Sequence, residues 1–144
     1  MNISILIPVY GSHKLAMKSI LSAIKYESIK EIIVCDDNPK NPLLSSYPNI
    51  QSQFQNLTYI LNEKNLGRSK NYKKLLSLNK TELFIMLDGD DHLFNDINFE
   101  IILKQFEKNT NLVISCGVCK EIKDNKIVKV NSPRLKGTFN GKYY

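Results

Sequence analysis

No apolar run in this chain approaches the roughly 18–20 residues needed to cross a bilayer, which argues against a transmembrane segment. The start, MNISILIPVYG, has no basic region ahead of its apolar stretch and no small-residue cleavage site. It reads as a strand and not as a signal peptide. The expected location is the cytoplasm, or the inner face of a membrane. Cysteine is scarce: Cys35, Cys116 and Cys119 are the three in the chain, an odd number that favours reduced thiols over a disulfide framework. CGVC at 116–119 matches C-x-x-C but lies inside LVISCGVC, an apolar run that reads as a strand. Residues three apart on a strand face opposite sides, so the pair is poorly placed to share a metal.

Several binding motifs are also missing. No G-x-G-x-x-G follows the first apolar run, which disfavours a dinucleotide site, and no G-x-x-x-x-G-K-[ST] occurs, which excludes a P-loop. The aspartates at 88–91 do not begin an EF-hand: counting from Asp88, Leu93 stands where glycine is required and Phe99 where the last glutamate is. No basic motif interleaved with aromatics points to a nucleic-acid partner. There are no internal repeats and no low-complexity stretch.

What is present fits one α/β domain. The 144 residues, 42% hydrophobic and 24% charged, suit one core. The expected division is a core over 1–122, with a hairpin and tail over 123–144. The net charge of +6 is uneven: residues 1–119 carry 13 Lys and Arg against 12 Asp and Glu, and residues 120–144 carry 7 against 2. A basic end of this kind is usually a solvated surface, and it could also face an anionic partner.

ISILIPVY (3–10), EIIVCDD (31–37), LTYILNE (57–63) and ELFIMLD (82–88) read as strands. Helical spacing appears over 12–26, with Ser12 as a cap, over the basic segment 65–79, and over 96–109. Residues 38–49 hold three prolines and read mostly as turn. Strands over 112–122 and 126–130 flank KDN, a plausible tight hairpin. The order β-α-β-β-α-β-α-β-β predicts a mostly parallel central sheet flanked by helices.

In open α/β sheets ligands bind beyond the carboxyl ends of the strands. Each polar cluster falls at such an end. Pro8, Tyr10 and Gly11 end the first strand, and Asp36 and Asp37 the second. Asn62, Asn65, Gly67 and Arg68 follow the third, and Asp88, Asp90 and Asp91 end the fourth. One rim therefore gathers five acids, an arginine and two asparagines. Acids so close repel one another unless a cation sits among them. They suit a hard divalent ion such as Mg²⁺, held by one or two carboxylates together with substrate phosphates.

Together these residues resemble the amino-terminal part of the family 2 glycosyltransferases with the Rossmann-like GT-A fold. ILIPVYG, IIVCDDN, NEKNLGRSKNYKKLL and FIMLDGDDHL follow the family's order and spacing, over roughly residues 2–130. The resemblance implies transfer of a sugar from a nucleotide-diphosphate donor, UDP-linked in the commonest case, with inversion and with Mn²⁺ or Mg²⁺. It implies that Pro8, Val9 and Tyr10 line the base and ribose pocket. Asp37 or its neighbour Asp36 would accept from the base. Asn65, Gly67, Arg68 and Lys64 would lie near the base or diphosphate. Asp88 and Asp90 would lie near ribose and metal, Gly89 would allow close approach of the ligand, and Asp90 and Asp91 would hold the metal, Asp91 most directly. The acceptor would be a saccharide, a lipid-linked group or a protein.

The sequence departs from the family in two places. DDNPKNP replaces a Gly-Ser-Thr-type run after the second strand. An inverting transfer also needs a carboxylate base for the acceptor hydroxyl, yet residues 125–144 contain no Asp or Glu. The expectation is a donor-binding half, incomplete at the carboxyl end. Two rival classes share parts of the pattern. A haloacid-dehalogenase-type phosphatase also ends a strand in Asp-x-Asp and uses Mg²⁺, but there the motif lies on the first strand, and here His92 stands where Thr or Val is expected. A receiver-like metal-binding module would need a lysine closing a fifth strand, which LVISCGVC lacks.

Overall fold

The near-continuous apolar run Ile3–Val9 becomes β1, one of the two central strands of the sheet. In this computed structural model the described residues are 1–112, 119–124 and 126–131. Around β1 lie α1 (His13–Ile24), β2 (Ile29–Asp36), a 3-10 turn (Leu43–Ser45), α2 (Ile50–Gln53), β3 (Leu57–Leu61), α3 (Arg68–Leu78) and β4 (Leu83–Met86). The sheet order is β3-β2-β1-β4 and every pairing is parallel. This is the parallel sheet flanked by helices that the alternating sequence pattern predicts.

The residues at positions 5, 6 and 7 of β1 and 32, 33 and 34 of β2 are all apolar, because a parallel strand covered on both faces has no solvent side. Burying each such side chain is worth about 1.5–3 kcal/mol. The step from β1 to β2 runs one way across the sheet and the step from β3 to β4 runs back, so right-handed crossovers put α1 and α3 on opposite faces. Leu75 of α3 packs on Leu6, Ile33 and Cys35, while α1 buries Ala16, Ile20 and Ala23. The reversal of direction between β1 and β4 creates the switch point at which ligand crevices open.

The expected turn over 38–49 contains the 3-10 turn, and α2 follows it. Neither is long enough to show a 3.6-residue period. Ser12 caps α1 as expected, accepting from the Leu15 N–H at 3.4 Å.

The chain groups into two compact units, Met1–Ile97 and Asn98–Tyr144, where the sequence suggested a core to residue 122 and then a hairpin and tail. In the second unit α4 (Phe99–Lys108) is capped by Asn98, which accepts from the Ile101 N–H at 3.1 Å. β5 (Cys119–Lys123) and β6 (Lys126–Asn131) form an antiparallel hairpin, with Asp124 in the left-handed region at φ 50°. Cys116, most of the strand expected over 112–122, and the tail after 131 lie outside the described residues.

Candidate functional site

The carboxyl ends of β1, β2 and β4, with the start of α3, enclose an open cleft of about 560 Å³. It lies in the first unit at the switch point. Pro8, Val9 and Tyr10 form one wall, Tyr10 being 68% exposed. Ser12, Leu15 and Ala16 of α1 add to it. Asp37, Asn65, Gly67, Arg68, Asn71 and Tyr72 form the second wall, and Asp88, Gly89 and Asp90 the third. Every nucleotide-site residue expected from the sequence lines this cleft except Asp36. Asp91 and Lys64 do not line it. A smaller polar cleft of about 390 Å³ lies at the amino ends of the strands, around Asn2, Lys30, Asn56 and Lys80.

The acids after β2 are enclosed by the protein itself. Asp36 is 1% exposed and does not line the cleft. One carboxylate oxygen accepts from the Leu43 N–H and the Tyr59 hydroxyl, both at 2.7 Å, and the other from the Asn38 N–H at 3.0 Å. It thereby ties the proline-rich loop back to β2 and β3, and it is not among the residues that line the cleft. Asp37 accepts from the Leu66 and Gly67 N–H groups at 2.7 and 2.8 Å and from Asn62 Nδ2 at 2.8 Å. The same Asn62 amide donates to Asn71 Oδ1, and its oxygen accepts from Lys74 Nζ at 2.7 Å. Asn71 Nδ2 in turn donates to the Cys35 carbonyl. Asp37 thus fixes the entry of α3, and Gly67 is required there because the chain passes through φ 80°.

The acids after β4 are different. Asp88 is shared by two side chains: Arg68 Nη2 donates to Oδ2 at 3.0 Å, and the Tyr72 hydroxyl donates to Oδ1. Arg68 also donates to the Tyr72 oxygen from Nε and Nη2, at 3.3 and 3.2 Å, and stacks its guanidinium over the ring. Burial, and next the hydrogen bond to Asp88, hold the Tyr72 phenol above its ordinary pKa. Asp90 and Asp91 take no hydrogen bond on their carboxylates among the described residues. Asp91 is exposed as a residue, yet partial desolvation of its carboxyl group, then the charges of Asp90 and Asp88, push its pKa up.

The loop that carries these acids is held from α1. Ser19 Oγ donates to the Asp88 carbonyl, the Leu93 N–H to Ser22 Oγ, the Tyr26 hydroxyl to the Phe94 carbonyl, and Lys25 to Asn95. A Cβ on Gly89 would meet the Pro8 carbonyl oxygen at 2.6 Å. The close approach at Gly89 is therefore to the chain's own β1 end, where the sequence suggested a ligand.

Among the described residues no group of three or more His, Cys, Asp or Glu is arranged to hold a metal alone. The donor set nonetheless fits a hard divalent ion: Asp90 and Asp91 are oxygen donors whose mutual repulsion a cation would relieve, with the remaining positions left to phosphate oxygens. Arg68 and Lys70 occupy the first turn of α3, where the helix dipole disfavours cations. An anion at the mouth of the cleft would offset that cost.

Sequence reasoning missed three contributors. Tyr72 lies one helical turn from Arg68, a spacing that signals contact. Asn71 lies inside the wall, buried under Asp37. His13 is half-buried and bonds Ser46 Oγ at 2.7 Å and the Asn41 carbonyl at 3.0 Å, pinning the loop after β2.

A parallel sheet with a polar, acid-rimmed crevice at its switch point defines an open α/β fold of the kind that binds ligands beyond its strand ends. Residues 4–143 match glycosyl transferase family 2, and the chain belongs to that family. No curated protein matches it in sequence closely enough to count as a relative. Among solved structures it is similar to residues 1–349 of S. aureus TarS, at 22% identity and a TM-score of 0.63, covering 75% of this chain and 33% of that one. The same region of TarS in complex with UDP-GlcNAc gives the same TM-score and identity. It is also similar to the mannosyltransferase PcManGT from Pyrobaculum calidifontis, in complex with GDP-Man and Mn²⁺, at 14% identity and a TM-score of 0.56, covering 63% of this chain and 28% of that one. These structural similarities establish the fold, which is that of the GT-A glycosyltransferases. The chain spans about a third of the length of these neighbours.

Proposed function

We propose that the cleft binds the nucleotide-diphosphate part of an activated sugar, UDP-linked, and that the chain supplies the donor site of a metal-dependent, inverting glycosyltransferase. One observation carries the reading: ten residues from four separate segments, each singled out at the end of a strand or the start of a helix, line one cleft at the switch point. Pro8, Val9 and the exposed Tyr10 offer a flat apolar wall for base and ribose. Asp37 reaches the cleft and retains lone pairs for a base N–H. Arg68, near the positive end of α3, faces the diphosphate. Asp90 and Asp91 would hold Mn²⁺ or Mg²⁺, which would stabilise the charge on the departing diphosphate. In this scheme Asp88 orients Arg68 and Tyr72, and Gly89 keeps the acidic turn pressed to β1.

The acceptor, a hydroxyl of a saccharide, a lipid-linked group or a protein, needs a carboxylate base. Donor binding is the part proposed for this chain. UDP is the nucleotide of one TarS complex and GDP-Man the ligand of PcManGT, and a nucleotide panel separates the two. With Mn²⁺ present, UDP at a hundred times its Kd should stabilise the chain by about 2.7 kcal/mol, read as a rise in melting temperature. GDP should do less. Asp91→Ala should remove the metal-dependent part of the shift, and an unchanged shift in that variant would overturn the metal assignment.

A further inference from the structure

We infer that Tyr72 is a positioning residue of the donor site: its hydroxyl, accepting from Arg68 and donating to Asp88, locks both side chains into the cleft wall before any ligand arrives. The inference rests on the donor-site reading above. It starts from geometry. Arg68 is exposed, with its side chain 76% accessible, and a free arginine side chain loses up to about 2 kcal/mol of rotamer entropy when it is fixed. Here three contacts fix it already. Nε and Nη2 donate to one phenol oxygen, Nη2 also reaches Asp88, and the guanidinium lies over the Tyr72 ring at 5.4 Å. Arg68 and Tyr72 are four residues apart on α3, so the helix sets their distance.

Asp88 gains as much. It stands beside Asp90 and Asp91, and its own turn places like charges close together. The phenol takes one lone pair of Oδ1 and the guanidinium one of Oδ2, and the guanidinium charge beside it makes Asp88 a weaker ligand for a cation than Asp90 and Asp91. The Nη1 group of Arg68 keeps its donors for an anion. A preset guanidinium binds an anion more tightly than a mobile one, because the ordering has been done in advance.

Tyr72→Phe removes one oxygen and keeps the ring and the stack. Two measurements test the inference. In the ligand-free protein the Arg68 Nε–H should give a distinct, protected ¹⁵N signal that disappears into the exchange-averaged arginine envelope in Tyr72→Phe. With Mn²⁺ present, Tyr72→Phe should weaken UDP binding about fivefold to tenfold, the net worth of one ordinary hydrogen bond. In an Asp88→Ala background the same change should cost less than twofold, because the relay is already cut. A merely structural tyrosine would shift the melting temperature in both backgrounds alike and leave this non-additivity at zero. If Tyr72→Phe folds poorly, Arg68→Lys keeps the charge and removes the Nε donor, and should show the same dependence on Asp88. Equal UDP affinity in Tyr72→Phe and wild type, or additive losses, overturns the positioning role while the donor reading stands. Failure of the wild type to bind UDP overturns both.

Discussion

Two clusters of aspartates end two strands of the same sheet, and the protein treats them in opposite ways. Asp36 and Asp37, after β2, are 1% and 3% exposed, and backbone N–H groups, a tyrosine and an asparagine bond to their oxygens, with Asp37 Oδ2 taking only the Gly67 N–H and keeping a lone pair on the cleft side. Asp90 and Asp91, after β4, are exposed and take no hydrogen bond on their carboxylates among the described residues. Buried carboxylates surrounded by donors act as struts that shape loops, whereas exposed, mutually repelling carboxylates await something from solution. The donor atoms around a charge separate the two roles, and neither the residue type nor its place at a strand end does so.

The contrast can be broken most sharply at Asp36. Asp36→Ala leaves the Tyr59 hydroxyl and the Leu43 and Asn38 N–H groups without an acceptor. It should cost about 3 kcal/mol of stability by denaturant titration, while the folded fraction keeps its UDP affinity, because Asp36 does not line the cleft. Next comes Gly89→Ala, whose Cβ would meet the Pro8 carbonyl at 2.6 Å. It should cost about 2 kcal/mol by overpacking and should also weaken UDP binding by pushing the acidic turn off β1.

A smaller loss, about 1 kcal/mol, is expected for Tyr59→Phe, which removes one hydrogen bond to Asp36. This variant also carries a pH signature. Burial, and next the bond to Asp36, push the Tyr59 pKa well above its ordinary value. The folded state therefore keeps that proton when the unfolded chain has lost it. The stability contribution is fully present below about pH 10, the ordinary tyrosine value, and is lost as pH rises further. Stability measured across pH 9–11 should fall less steeply in Tyr59→Phe than in wild type. Smallest of all is Asp91→Asn. Desolvation and like charges raise the Asp91 pKa, so its ionised form is disfavoured, and the ligand-free melting temperature should stay level or rise slightly. A substantial fall would mean that Asp91 is a strut like Asp36.

Much of this was legible in the sequence. Uninterrupted apolar runs identified β1 to β4, and the strand-end rule put the polar residues on one rim. Asp36 and Asp37 could not be told apart, because adjacent acids after an apolar run look alike until the partner strand and loop are in place. Tyr59 and the N–H groups of Asn38 and Leu43 come from segments that only the folded chain brings together. Tyr72 was hidden for a related reason: its spacing to Arg68 was visible, but its contact with Asp88 crosses from α3 to the end of β4. The short helical turns at 43–45 and 50–53 carry too few residues to show a period.

The most direct test is to soak crystals of the chain with UDP and Mn²⁺ and locate the manganese by its anomalous scattering. The expected result is one peak at the Asp90 and Asp91 carboxylates, bridged to diphosphate oxygens, with none at Asp36. A metal site at the β2 acids, or UDP bound outside the cleft, would contradict the assignment.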